Sequence, residues 1–424
     1  MSDQDSTEID IAGIGFGPSN LALAIAIEEY NETASQPLRA VFFERQERFG
    51  WHRGMLLDGT SMQVAFPKDL ATFRNPRSRY TFFSYLHDQD RLVDFVNHQT
   101  FFPSRKEFHA YLEWAADRVG ADVRYGTTVT SVTPMYDANG QADTLRVDTE
   151  GKSVVARHVV AAVGLRERLP EGIQTSRRCF HNHQFLHRIA EMPPPAHQRF
   201  IVVGAGQSAA EIVDYLHTHH PSAEVHSVFS RFGYSPADDS PYANRIFDPA
   251  VVDEFHHAPA AVRRRLLDLH RGVNYSVVDP DLIAKLYAAE YRERVSGQRR
   301  LFMRRASQLT RVQERPDGVD VTIRSDLDGL DDELTCDAVV FATGFTPTPL
   351  QPLFGTLVAQ PPAVTREYRL STSPGIRAGI YLQGGVEHSH GISSSLLSNV
   401  AVRAGEILQS IARAPSFTRN ETSA

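Results

Sequence analysis

The chain of 424 residues holds only two cysteines, Cys179 and Cys336, far apart in sequence. They can form no CxxC redox pair, zinc knuckle or disulfide framework, which points to a reducing compartment. Long apolar runs are missing too: none approaches the ~18 residues that cross a bilayer. The opening MSDQDSTEID is acidic and polar, the wrong chemistry for a signal or transit peptide, so the expectation is a soluble cytoplasmic protein. Positive charge is not in excess: 44 Lys+Arg against 51 Asp+Glu leave −7, which argues against general affinity for nucleic acid or an anionic membrane. Lysine is scarce, with only Lys68, Lys106, Lys152 and Lys285 among 40 arginines. In such a chain a lysine is informative, because a compact ammonium and a planar guanidinium are not interchangeable at a site.

What is present is ordinary for a globular protein, 42% hydrophobic and 22% charged, and the length suggests two to three domains. Two strand–glycine-loop–helix units stand out. In the first, residues 9–12 lead into Gly13-Ile14-Gly15-Phe16-Gly17-Pro18 and a helical apolar run, and a second strand ends in Glu44. In the second, residues 200–203 lead into Gly204-Ala205-Gly206-Gln207-Ser208-Ala209 and a helix, and the next strand ends in Ser230-Arg231. Glycines there permit a tight turn and close backbone approach, while the helix N-terminus faces a diphosphate. One GxGxxG alone is weak evidence. Two in register, about 190 residues apart, are strong.

Each copy departs from the pattern in a readable way. Pro18 replaces the third glycine of the first, tolerable in a first helical turn where its missing N–H has no partner. Glu44 lies 27 residues after Gly17, with the polar insert 31–37 accounting for the length; its carboxylate suits ribose hydroxyls, as for FAD or NAD. The second copy has Ala209 in the third slot and no acid at its strand end. Arg231, 22 residues on, can meet a 2′-phosphate, which favours NADPH. Two apolar runs that reach a glycine, Gly164 in 159–164 and Gly344 in 337–345, flank the second unit like paired linkers. The expected fold is therefore α/β, with two Rossmann-like dinucleotide-binding domains. An FAD domain spans 1–165 and 347–424, an NADPH domain spans 166–236 and 290–346, and residues 237–289 form a small, mostly helical substrate-binding region.

The sequence resembles the flavin-dependent N-hydroxylating monooxygenases, the ornithine and lysine side-chain hydroxylases, over nearly its whole length. The resemblance is carried by the loop from Gly13 to Leu21, by Met62-Gln63-Val64-Ala65-Phe66-Pro67-Lys68-Asp69-Leu70-Ala71-Thr72 and by Pro103-Ser104-Arg105-Lys106-Glu107-Phe108. It continues in Asn274-Tyr275-Ser276-Val277-Val278-Asp279, Ala342-Thr343-Gly344-Phe345 and the run from His390 to Ser398. Phe73-Arg74-Asn75-Pro76 looks like the ornithine branch.

The resemblance implies that NADPH reduces FAD, that O2 adds at the flavin C4a position, and that the substrate amine attacks the resulting hydroperoxide. The flavin then carries the chemistry and no catalytic side chain is required. It implies that Lys68 pairs with the substrate α-carboxylate, and that Asn244 and Asn274 hydrogen-bond the amino-acid end and the reacting amine or the nicotinamide ribose. Ser393, or one of its neighbours Ser394 and Ser395, closes the site. Gln63 and Arg105 line the flavin. Gly13, Gly15, Gly17, Pro18 and Glu44 hold FAD; Gly204, Gly206, Gln207, Ser208 and Arg231 hold NADPH; Thr343 and Gly344 belong to the linker. It further implies L-ornithine and O2 as substrates, a homotetramer, and a product that feeds a siderophore or a nonribosomal peptide. Pro67 and Ser394 depart from the family pattern. His388 and His390, two apart with no thiol or carboxylate partner, do not make a metal site.

Rival readings meet specific gaps. A disulfide reductase needs a cysteine pair. A ketone-oxidising flavin monooxygenase needs an FxGxxxH-type stretch, which Cys179-Phe180-His181-Asn182-His183 does not provide. A lysine N(6)-hydroxylase is the nearest alternative, and a non-enzymatic nucleotide sensor the more distant one.

Overall fold

Residues 9–270, 276–359 and 361–414 are described by the structure, a computed structural model. The strand Ile9–Ile14 is almost wholly buried, as expected of a central parallel strand covered on both faces. It pairs in parallel with Ala40–Phe43 on one side and Val154–Ala161 on the other. Helix α1 (Pro18–Asn31) connects the first pair and is buried along Leu21–Ile27. Asp122–Arg124 extends one edge of the sheet; Thr144–Thr149 and Val129–Met135 extend the other in antiparallel fashion. Gly379–Leu382 returns from the far end of the chain to pair with the second half of Val154–Ala161. Helix α2 (Arg105–Arg118) completes this half, capped by the Ser104 hydroxyl, which accepts from the Glu107 amide at 3.1 Å.

The second unit is a five-stranded sheet, all parallel, in the order Leu301–Arg304, Glu224–Val228, Arg199–Val203, Ala338–Phe341, Cys179–His181. Helix α3 (Gln207–His219) follows its glycine loop. A three-stranded antiparallel sheet, Ser307–Glu314 with Val319–Ser325 and Asp331–Cys336, packs beside it. The two linkers lie side by side as an antiparallel pair, Leu165–Glu167 with Phe345–Pro347. The two-sheet α/β architecture expected from the glycine loops is thus present.

Two details bear on the expected domain division. Residues 237–289 do begin with short helices, Pro241–Asn244, Val251–His257 and Ala260–Leu269. The boundary at 289/290, however, cuts helix α4 (Pro280–Ser296), whose Leu286 and Ala289 join the apolar core of the second unit. Met55 and Leu57, assigned by sequence to the first unit, also pack into that core with Phe180, Phe185 and Phe200. Their neighbour Gly54 lies so close to the 182–184 turn that an added Cβ would sit 2.0 Å from the His183 carbonyl. The final helix, α5 (Val400–Arg413), packs against α1. No helix among the described residues is long and apolar enough to cross a membrane.

Candidate active site

The first glycine loop is braced from behind and open in front. Gly15 has φ +81°, and a Cβ there would meet the Ala162 carbonyl at 2.5 Å. At Gly17, the residue capping α1, an added Cβ would meet nothing within 4 Å. That open approach to a helix N-terminus carrying no acidic residue in its first turn is what a diphosphate requires. Gly13 serves packing instead, lying against the Phe42 ring, and Pro18 takes the first helical position. Glu44 sits at the strand end as expected: its carboxylate accepts from the Phe16 amide at 2.7 Å and the Gln46 amide at 2.9 Å, tying the loop to the strand. A feature the motif does not reveal is Asn20, wholly buried, whose amide donates to the Gly15 carbonyl and accepts from Gln383.

The second loop follows the same logic. A Cβ on Gly204 would lie 2.3 Å from the Ala342 carbonyl, and one on Gly206 would lie 3.3 Å from Ser276. Ser208 follows Gln207 in the first turn of α3. The Gln207 side chain accepts from the Asp279 amide at 2.8 Å and donates to Glu211 at 2.9 Å. Arg231 is exposed at the strand end, its guanidinium steadied by the Ser276 carbonyl at 2.7 Å and Ser235 Oγ at 3.2 Å. In the linker, Gly344 has φ +85°, its carbonyl meets His181 Nε2 at 2.9 Å, and Thr343 bonds across to Arg168.

The residues expected to hold a substrate include Lys68 and part of the helical region. Lys68 is half-buried, and its ammonium stands 5.7 Å from the centroid of the Phe247 ring, on the helical region. Burial lowers its pKa from the ordinary lysine value, opposed by the charge of Asp248. The loop bearing Lys68 is fixed by buried Asp69, which accepts from the Ala71, Thr72 and Phe82 amides. Gln63 is exposed on the same loop. Asn244 ends the short helix before Phe247, with its amide donating to the Asp239 carbonyl at 2.6 Å. Asn274 lies outside the described residues.

The three serines separate cleanly. Ser394 donates to the Gly391 carbonyl at 2.7 Å, and Ser395 accepts from the Gly385 amide at 3.0 Å. Ser393 donates to Asn399 Oδ1 at 3.0 Å, while the Asn399 amide nitrogen reaches the Phe247 carbonyl at 3.1 Å. Asn399 therefore ties the Ser393 turn to the helical region at Phe247, a link nothing in its sequence context signals. Arg403 is a second residue the motifs miss. Fully buried, it donates to the Ser394 carbonyl at 2.7 Å and to Ser19 Oγ at 3.3 Å.

Arg105, expected beside the flavin, holds its guanidinium in a two-bond ion pair with Glu211 of α3. A buried carboxylate suits a fork of N–H donors. His390 is packed on Tyr368 with its ring nitrogens on Ser389 and the Arg366 carbonyl, and His388 meets the Pro362 carbonyl. Among the described residues no cluster of His, Cys, Asp and Glu could hold a metal ion.

Known proteins share this arrangement. An L-ornithine N(5)-monooxygenase of Pseudomonas aeruginosa is 38% identical over 416 residues, covering 95% of this chain and 93% of its own. The solved ornithine N-hydroxylase of Kutzneria sp. 744, with reduced FAD, NADP+ and L-ornithine, superposes with a TM-score of 0.91 at 42% identity, covering 96% and 99% of the two chains. The L-lysine 6-monooxygenase of Pseudomonas syringae superposes with a TM-score of 0.82 at 34% identity, covering 96% and 99%. A family model described as L-lysine 6-monooxygenase/L-ornithine 5-monooxygenase matches residues 7–347, both nucleotide loops and the Lys68 loop included. Loops, linkers and sequence relatives agree, and the chain belongs to the L-lysine 6-monooxygenase/L-ornithine 5-monooxygenase family.

Proposed function

We propose that this chain hydroxylates the side-chain amine of L-ornithine with NADPH and O2, holding FAD in the first glycine loop and NADPH in the second. The observation that carries the reading is Lys68, a half-buried ammonium whose ring neighbour Phe247 belongs to the helical region. A lysine so placed can fix the substrate α-carboxylate and leave the far amine at a set distance. Supporting it are the Kutzneria ornithine N-hydroxylase, solved with reduced FAD, NADP+ and L-ornithine, and an identity of 42% to it against 34% to the Pseudomonas syringae lysine enzyme.

The protein's share of the work is placement. Gly13, Gly15, Gly17, Pro18 and Glu44 would hold FAD; Gly204, Gly206, Gln207, Ser208 and Arg231 would hold NADPH. Bound FAD, reduced by NADPH, supplies the activated oxygen. Ser393 gives its proton to Asn399 and so offers the substrate an acceptor. The amine must be neutral to react, and a free alkylammonium titrates near 10.4. Near Lys68 stands the Asp248 carboxylate, whose charge favours the Lys68 ammonium rather than a neutral amine. The product would be hydroxyornithine, a building block for a siderophore or a nonribosomal peptide, and we expect a homotetramer.

The deciding experiment offers ornithine and lysine together and identifies products by mass spectrometry. A misplacement of ~1 Å can cost on the order of 100-fold in rate. Hydroxylated ornithine should dominate, with lysine at most stimulating NADPH oxidation. Comparable hydroxylation of both would sink the ornithine assignment.

A further inference from the structure

The pair formed by Arg105 and Glu211 crosses the boundary between the two nucleotide units, and neither residue can leave it cheaply. Nη1 and Nη2 of Arg105 meet Oε2 and Oε1 of Glu211, both at 2.8 Å, with side-chain exposures of 12% and 3%. Nη1 also donates to the Met55 carbonyl at 3.1 Å. Met55 is one of the two side chains, with Leu57, that this segment inserts into the core of the second unit. Glu211 lies about one turn into α3, five residues after Gly206, and receives Gln207 Nε2 at 2.9 Å. Gln207 in turn holds the Asp279 amide at the start of α4. A single carboxylate thus connects the coenzyme loop, the helix that follows the substrate region and, through Arg105, the first turn of α2.

A carboxylate so near a helix N-terminus that receives a diphosphate would normally oppose the ligand. Here a guanidinium from the other unit neutralises it. We propose that Arg105 and Glu211 are a cross-domain positioning pair that sets the coenzyme loop against the flavin domain, and that Glu211 governs the geometry of hydride transfer without touching either cofactor. The proposal rests on the cofactor assignment given above. Because Glu211 stands on the coenzyme side, replacing it tests the tie separately from any contact Arg105 makes with flavin.

The variants are Glu211→Gln, Glu211→Asp, Arg105→Met and the double Arg105→Met/Glu211→Met, each loaded with FAD. Three quantities are read: the limiting rate of flavin reduction on anaerobic mixing with NADPH, the NADP+ dissociation constant from the flavin spectrum, and hydroxyornithine formed when dithionite-reduced enzyme meets oxygen. Glu211→Gln should slow reduction about tenfold, the scale of a sub-ångström misplacement, while NADP+ affinity and the oxygen half each stay within threefold. Glu211→Asp should fall between it and wild type. The double variant should reduce no more slowly than the worse single one, since the two residues act as a unit. Unchanged reduction, equal loss in both halves, or losses that multiply in the double variant would each overturn the proposal. If Arg105→Met fails to retain FAD, the two Glu211 variants decide it alone. Wild-type enzyme that neither holds FAD nor is reduced by NADPH would instead overturn the cofactor assignment itself.

Discussion

At the scale of single residues, the proposed substrate anchor is an ammonium that is costly to bury without an anion beside it. Lys68 is drawn into the protein far enough to lower its pKa, so it should lose its charge at a lower pH than free lysine. The apparent ornithine affinity of wild type should fall as pH rises through that lowered value. Lys68→Ala should keep FAD, still oxidise NADPH and release hydrogen peroxide, while hydroxyornithine nearly disappears; flavin reduction lost in equal proportion would show that Lys68 is no substrate anchor. Lys68→Arg should recover little, because the planar group displaces the carboxylate. Asn399 makes a second test. Asn399→Leu leaves the Phe247 carbonyl and Ser393 hydroxyl without their partner, each worth roughly 1–3 kcal/mol when buried. The ornithine KM should rise about tenfold with the NADPH KM unmoved. Lys68 stood out as a candidate because lysine is rare in this chain and its motif is distinctive. Asn399 was not, since asparagine after a serine run reads as an ordinary helix start, and its partner Phe247 is 152 residues away.

At the scale of elements, the two strand–loop–helix units were plain in sequence because glycine is the one residue that allows such close approach. The Cβ test at Gly15 and Gly204 shows the carbonyls that enforce it. The strand end after Glu224–Val228 carries a prediction of its own. Arg231→Ala should raise the NADPH KM, on the order of tenfold for one charge-assisted hydrogen bond, and leave NADH almost untouched. Equal losses with both coenzymes would place the 2′-phosphate elsewhere. Helix α4 marks the limit of reading elements from pattern. Its exposed side displays Tyr287, Tyr291 and Val295, and its buried side rests on Leu286 and Ala289. That weak apolar contrast shows no domain membership until α3 is seen beneath it. Met55 and Leu57 mislead for a similar reason: proximity in sequence to the first unit says nothing of which core receives them.

At the scale of the whole molecule, buried imidazoles set a limit toward acid. Burial holds His52, His158 and His390 neutral, pulling their pKa down to about 3, and brings His226 to about 4. Because the folded values lie below the ordinary 6.5, the unfolded chain binds protons that the folded chain refuses. Stability should therefore be intact above about pH 6.5 and decline toward pH 4. Each such histidine contributes a slope of ~1.4 kcal/mol per pH unit. Melting temperature measured from pH 7.5 to 5 should fall steadily below 6.5; a flat profile would contradict neutral burial. The topology has a further consequence for how the molecule is made. Residues 9–161 build most of the first sheet, yet Gly379–Leu382 must still arrive to cover the open edge of Val154–Ala161. During synthesis the second unit emerges in full before that strand leaves the ribosome. The first unit therefore waits with exposed backbone donors and acceptors, a template for wrong pairing between nascent chains. Fast translation of residues 347–382, or a chaperone covering that edge meanwhile, should raise the yield of folded enzyme by shortening or shielding the wait.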